Sequence, residues 1–397
     1  MKVLAQNGHQ PSNKISEGLA QGVLDGLIIS TRYTAPDKAE ERIREAKRIN
    51  ADADVLVDPE YYATRQLGTP NNQLGYLEDW PYFNAVPRRD LVRTGVVEEA
   101  LRQVWVEVSR LGVSAHIAPN IYIPQSFDSI EAGIAMNFIG GAKDIFADGR
   151  PVYATIALDR RALLNPAEFK SFLNDLTALE NPPDGFYILV GGGLINERSD
   201  VVHSEIVDAN VIGGWMLLNH VLAQNGFRVI NGCADLLMPF LGVAGGDAGA
   251  TGWWSNLRVF SMGRYVKPEG PGGQLPTVRY VSKLLFNRIR LNELRVYAEI
   301  LPGVLNGLPL DAKYTGGTPT RTDEAVQTWE AISSLNTGLV AGDIAQGLAR
   351  LDDCVTQARA AYACLQSRGL SEGIEAVSEY LTQLANAVQT FRRLAEL

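Results

Sequence analysis

Eight short apolar runs, each ending in polar residues or glycine, punctuate the first 260 residues of this chain, and amphipathic stretches of helix length fill most of the intervals. The runs are Lys2–Ala5, Gly26–Ser30, Asp54–Asp58, Ser114–Ala118, Val152–Leu158, Phe186–Val190, Arg228–Asn231 and a weaker eighth near Ala250–Trp254. Strands that alternate with helical periodicity must be joined by crossover helices and therefore run parallel. Eight such units predict a (β/α)8 TIM barrel. The 397 residues exceed the about 250 of a simple barrel, so the expected division is a barrel over 1–260 and a helical region over 261–397.

Two stretches interrupt or follow the rhythm. After the third strand, an inserted loop at 62–95 carries prolines, asparagines and the aromatics Tyr76, Trp80, Tyr82 and Phe83. A loop of that length at the active face of a barrel serves as a substrate lid or wraps a small core of its own. Beyond Phe260 a glycine- and proline-rich stretch, 267–276, leads into an expected helix near 277–301, and Thr322 is placed to cap a further helix through Leu335. The last two segments repeat apolar residues by alternating threes and fours: Ile344, Leu348, Leu351, Val355, Ala358, Tyr362 and Leu365, then Ile374, Val377, Leu381, Leu384, Val388 and Phe391. With Gly369 as the break, they read as an antiparallel helical hairpin packed within the chain, the alternative being a seam for a protein partner or a second copy.

Composition restricts the function classes. No run approaches the roughly 20 apolar residues that cross a bilayer, so no membrane is expected. The opening Met1-Lys2-Val3-Leu4-Ala5-Gln6 turns polar too early for a secretory signal, and the three cysteines, none in a CxxC, fit a reducing, cytoplasmic setting. No metal-ligand spacing is present, and the sequence singles out no cofactor. A formal charge of −9 argues against indiscriminate nucleic-acid binding. Residues 258–295 nevertheless hold eight basic side chains against two acids, with aromatics interleaved. Arg258, Arg264, Lys267, Arg279 and Lys283 are the candidate nucleic-acid contacts there, against the plainer reading that they solvate a helix packed on the barrel.

A barrel places its chemistry where strands end and βα loops begin. That rule selects Gln6, Asn7 and His9 after the first strand, Arg32 after the second, Asp58 and Glu60 after the third, Asn120 after the fourth and Asp159 after the fifth. It further selects Gly191 and Gly192 after the sixth, Asn231 after the seventh, and Gly245, Gly246 and Asp247 at the eighth. Asp58, Asp159 and Asp247 form the candidate catalytic set. Paired carboxylates suit reactions at a glycosidic carbon, one attacking or stabilising an oxocarbenium-like centre while another moves a proton. Each aspartate has a structural alternative: Asp58-Pro59-Glu60 as an Asx turn, Asp247 as the organiser of its glycine loop.

Three segments in order, Val55-Leu56-Val57-Asp58-Pro59-Glu60, Phe186-Tyr187-Ile188-Leu189-Val190 with three glycines and then Arg198-Ser199, and Gly245-Gly246-Asp247 ahead of Asn256-Leu257-Arg258, resemble the tRNA-guanine transglycosylases and their DNA-acting relatives. The resemblance implies a barrel that exchanges a base, with Asp247 as nucleophile and Asp58 as the base-recognising or proton-handling acid. Val190 stands where that family has a glutamine, and its cysteine-rich zinc site has no counterpart here. The expected function is a barrel enzyme acting at a glycosidic or ribosyl carbon of a nucleoside or nucleic acid, a glycosyl or pentosyl transferase or a glycosidase. The alternative is a binding or assembly module whose chemistry is absent or secondary. The glycine loops leave a flavin or phosphate-substrate barrel as a third class.

Overall fold

The structure, a computed structural model, describes residues 1–9, 13–191, 204–267, 277–340, 342–370 and 374–397. Nine strands build one parallel sheet: β1 Lys2–Gln6, β2 Gly26–Ser30, β3 Asp54–Asp58, β4 His116–Ala118, β5 Tyr122–Ile123, β6 Val152–Asp159, β7 Gly185–Gly191, β8 Arg228–Asn231 and β9 Ala248–Thr251. Their order is β3-β2-β1-β9-β8-β7-β6-β4, and β5 also pairs with β6, so β4 and β5 are two pieces of one barrel strand. The result is a nearly closed barrel of eight parallel strands. The seam between β3 and β4 is bridged by Ser114, whose N–H donates to Val55 O (2.8 Å) and whose Oγ accepts from Val55 N (3.0 Å). Strands β2, β6, β7 and β9 are buried along their whole length, as parallel strands covered by helices must be.

The crossover helices are α1 Lys14–Ala20, α2 Pro36–Ile49, the pair α3 Arg88–Leu91 and α4 Thr94–Val108, α5 Ile130–Ile145, α6 Pro166–Thr177, α7 Ala209–Gln224 and α8 Met238–Val243. Their starts are written locally. Ser129 Oγ accepts from Ala132 N, Asn165 precedes a proline and accepts from Ala167 and Glu168 N, and Asp208 accepts from Asn210 and Val211 N. After β9 come α9 Ser255–Arg258, an antiparallel hairpin of β10 Arg279–Ser282 and β11 Asn287–Arg290, then α10 Leu291–Ile300, α11 Asp311–Thr315, α12 Arg321–Leu339, α13 Ile344–Ser367 and α14 Ile374–Ala395.

Helix α12 packs against α8, α1 and β1, the position of the outer helix that should follow β9. Trp329, fully buried on α12, donates its indole N–H to Thr251 O at the end of β9 (3.2 Å). Residues well beyond 260 thus supply the last wall of the barrel, and one continuous apolar core runs from the strands through the hairpin into α13 and α14.

Several local expectations are corrected. The expected helix near 277–301 is a strand hairpin followed by a shorter helix: Tyr280, Val281 and Ile289 are buried by alternation across two short strands, and Phe286 turns the chain with φ of 48°. The cap of α12 is Thr320, two residues earlier than expected, in a reciprocal box with Asp323. The aromatic insertion joins the main core rather than wrapping one of its own: Trp80, Tyr82 and Phe83 are buried in it, and Trp80 donates to Thr31 O and Thr34 O, and Tyr82 to Pro59 O, which pins the loop to the ends of β2 and β3. The two heptad segments do form helices that pack on each other, and α14 also lies along α7, where Gln383 Oε1 accepts from Ala209 N. Leu351, Leu365, Leu384 and Phe391 are fully buried, so the seams are used within the chain. Among the described residues, no helix is long and apolar enough to cross a membrane.

Candidate active site

The C-terminal ends of the strands define the mouth, and its most unusual group is Asp58. Strand β3 ends on it, and its side chain is essentially inaccessible. Oδ1 accepts from Glu60 N (2.9 Å) in the Asx turn expected of Asp58-Pro59-Glu60, which holds Glu60 in the left-handed region at φ of 47°. Oδ2 accepts from two hydroxyls, Tyr62 (2.8 Å) and Tyr187 (3.1 Å), the latter reaching across the barrel from β7. Gly232 permits this reach, since a Cβ there would lie 2.6 Å from the Tyr187 hydroxyl. Burial, reinforced by the nearby Glu60 charge, raises the Asp58 pKa to about 7 against the pull of those three donors. Burial likewise raises the tyrosines Tyr62 and Tyr187 well above their ordinary range, so both remain donors.

Glu60 is fully buried, and its Oε2 accepts from Arg32 N (3.0 Å) while Oε1 has no partner. Arg32 is fixed by Gln73 O and the Tyr33 hydroxyl, with its guanidinium 5.2 Å from the Tyr265 ring centre. Arg264 stands 5.7 Å from the same ring and is 8% exposed. Its Nη1 makes only a long contact to Cys233 Sγ (3.9 Å), and Nε and Nη2 have no partner. The Cys233 thiol is pushed up to about 11 by burial and is therefore a thiol rather than a nucleophilic thiolate. The Gln6 Oε1, Ser30 Oγ and Tyr265 hydroxyl atoms are also buried without partners. Such orphaned polar atoms are few in native proteins, and six of the thirteen among the described residues lie at the ends of β1, β2 and β3 or in the residues folded over them.

A clasp covers this cluster. Gln73 N donates to Tyr265 O (2.7 Å), Lys267 N to Asn71 O (2.8 Å), and Asn72 and Val266 form an antiparallel bridge. The insertion after β3 and the segment after β9 are thus joined across the mouth. Glu60, Cys233 and Asp235, three of the non-glycine residues with positive φ, also lie in mouth loops, where backbone strain commonly accompanies function.

The other sequence candidates fall elsewhere. Asp247, the expected nucleophile, is corrected: β9 begins after it, not before it, so it lies at the opposite, N-terminal end of the barrel. There Lys2 N donates to its carbonyl and Val229 N to its Oδ2 (2.8 Å), with Arg228 3.9 Å away. Gly245 and Gly246 belong to the same base turn. Asp159 does reach the mouth but is committed to structure: it caps the following turn, binds the Arg161 guanidinium and accepts from Tyr122, and these contacts overcome burial to hold it below the usual carboxylate range. Asn231 points outward to Trp215 and Asn219 on α7, and Asn120 satisfies Ala135 O, Thr155 O and Ile121 N. Asn7 joins Thr34 to Arg42, and His9 is exposed beside Tyr33. Gly191 bridges to Phe260, whereas Gly192 lies outside the described residues.

The basic stretch is largely internal. Arg258 donates to Gly252 O and Trp253 O beside Glu324, Arg264 is in the mouth, Arg279 is buried in β10, and Lys283 donates to Ser334 Oγ. Lys267 is the exposed member of the set. Arg288 makes a buried two-pronged pair with Asp235, which also accepts from Thr251, and so ties the hairpin to β9 and the loop after β8. Among the described residues, no three His, Cys, Asp or Glu side chains converge as metal ligands.

No protein-family model and no curated protein matches this sequence.

Proposed function

We propose that this protein is an acid–base barrel enzyme acting at the glycosidic or ribosyl carbon of a nucleoside-sized substrate, with Asp58 as the group that moves the proton. The observation that carries this reading is the Asp58–Glu60 pair: a buried carboxyl that titrates near neutral pH, beside a second carboxylate with one oxygen unused. A general acid works best when its pKa lies near the working pH. Protonated Asp58 delivers its proton to the leaving nitrogen or oxygen, which departs with the bonding electrons. Glu60 Oε1 offers negative charge to the oxocarbenium-like carbon. Water or an incoming base then bonds to that carbon and gives up its proton to Asp58. Tyr62 and Tyr187 hold the Asp58 carboxylate in place between the two steps. Burial of Arg258, Arg264 and Arg279 favours a small substrate over a long polyanion. Substrate reaches the cluster when the clasp between 71–73 and 265–267 parts.

The test is release of free base, followed by chromatography, from nucleosides, nucleotides and RNA. The wild type should turn over a nucleoside-sized compound, and Asp58→Asn should slow it by about 10²- to 10⁴-fold without lowering thermal stability. Undiminished turnover by Asp58→Asn would remove Asp58 from the mechanism.

A further inference from the structure

The mouth holds more positive charge than its carboxylates balance. Arg32 and Arg264 both flank the Tyr265 ring, while the facing acids are Glu60 and an Asp58 that is half protonated near neutral pH. Arg32 commits its Nε to Gln73 O and its Nη1 to the Tyr33 hydroxyl, which leaves no free Nε edge. Arg264 does not: the two atoms left without partners, Nε and Nη2, are the adjacent pair on one edge of the guanidinium. That edge presents two parallel N–H groups and matches the two oxygens of a carboxylate or phosphate group. The Glu60 charge attracts Arg264 without hydrogen-bonding it, and buried guanidinium donors left without acceptors are costly, so a fold that retains them has a use for them.

We infer that the Nε/Nη2 edge of Arg264 is an oxyanion subsite, and that the ligand of the barrel mouth carries a carboxylate or phosphate group held there in two-pronged fashion. The inference takes the position of the site from the proposed function but does not depend on turnover. Glu60 and Asp58 then face the uncharged part of the ligand, and the added negative charge balances the second guanidinium. The Tyr265 ring, placed against both guanidiniums, fixes their planes.

Binding of inorganic phosphate and of acetate to the full chain is measured by calorimetry and by the shift in melting temperature, for the wild type, Arg264→Met, Arg264→Lys and Asp58→Asn. One of the two anions should bind the wild type saturably, and which one does so distinguishes a phosphate-bearing from a carboxylate-bearing ligand. Arg264→Met should weaken that binding at least tenfold. Arg264→Lys, which keeps the charge but not the paired donors, should fall between them. Without anion, Arg264→Met should melt close to the wild type, because the lost attraction to Glu60 is offset by removal of buried donors that have no acceptor. Asp58→Asn should still bind the anion, so failure of the catalytic reading and failure of the subsite are separate outcomes. Binding of neither anion by the wild type, equal binding by Arg264→Met, or a markedly lower melting temperature of anion-free Arg264→Met would each overturn the assignment.

Discussion

Replacing Asp58 with asparagine should stabilise this protein, and by an amount that depends on pH. In the fold the Asp58 carboxyl titrates at about 7, against 3.8 for an unperturbed aspartate. The gap of about three pH units, at about 1.4 kcal/mol each, means that ionised Asp58 destabilises the fold by ~4 kcal/mol above neutrality. Between these two values the folded protein holds a proton that the unfolded chain has released. The Asp58 contribution to stability is therefore fully present below pH 4 and is lost as pH rises through 7. Asparagine has no such dependence. Its Oδ1 can still accept from Glu60 N, and the Tyr62 and Tyr187 hydroxyls can rotate to accept from its amide. Urea unfolding of both proteins should show Asp58→Asn ahead by about 4 kcal/mol at pH 8 and by about 2 kcal/mol at pH 5, as the same linkage gives. Titrating groups remote from Asp58 are common to the two proteins and cancel; Glu60, whose charge acts on Asp58, is relieved of that repulsion in the variant, which adds to its advantage at high pH. A difference that does not change between pH 5 and pH 8, or a variant less stable at both, would refute the reasoning.

Two further outcomes follow from the contacts. Arg288→Met leaves Asp235 buried with Thr251 as its remaining side-chain partner, and should cost about 3–5 kcal/mol in urea unfolding; a loss under 1 kcal/mol would show that the pair does not hold the hairpin to the barrel. Asp247→Asn, at the far end from Asp58, should leave any mouth activity and anion binding unchanged and cost about 1 kcal/mol, since the bond from Val229 N becomes a neutral one and the charge beside Arg228 is lost; abolished activity with unchanged stability would restore it to the mechanism.

The barrel was legible because six of its strands are rich in Val, Ile, Leu or aromatic residues and stand out against amphipathic helices, and the fourth, Ser114–Ala118, keeps their spacing. The eighth was not. Ala248-Gly249-Ala250-Thr251 offers little side-chain area, and the apolar signal shifts toward Trp253 and Trp254. Asp247 precedes this strand whether it is placed at 250–254 or at 248–251; the glycine loop that leads into the strand was read as the loop that leaves it, and that reversal misplaced the expected nucleophile. The hairpin at 279–290 was hidden for a related reason: two four-residue strands around a Leu284-Leu285-Phe286 turn present apolar spacing that a helix also satisfies. Asp58 and Glu60 were readable as strand-end acids, and Arg264 was visible only as a basic residue. Tyr187 lies inside an apolar run, and Tyr62 and Tyr265 come from segments with no regular period. Their convergence on Asp58 and Arg264 depends on how the insertion and the post-β9 segment cross the mouth, a long-range relation that no local pattern encodes. The tyrosine hydroxyl inside the apolar strand Phe186–Val190 is the one local signal that pointed there.

The most direct test of the central claim is the titration of Asp58 itself. With aspartate side chains labelled at the carboxyl carbon, the carbon resonance present in the wild type and missing in Asp58→Asn can be followed from pH 4 to pH 9. A midpoint near 7 is the expected result, marking a buried acid poised to give and take a proton at neutral pH. A midpoint in the ordinary aspartate range would mean that the tyrosines and Glu60 N stabilise a permanent carboxylate, and would contradict the acid–base role on which the account rests.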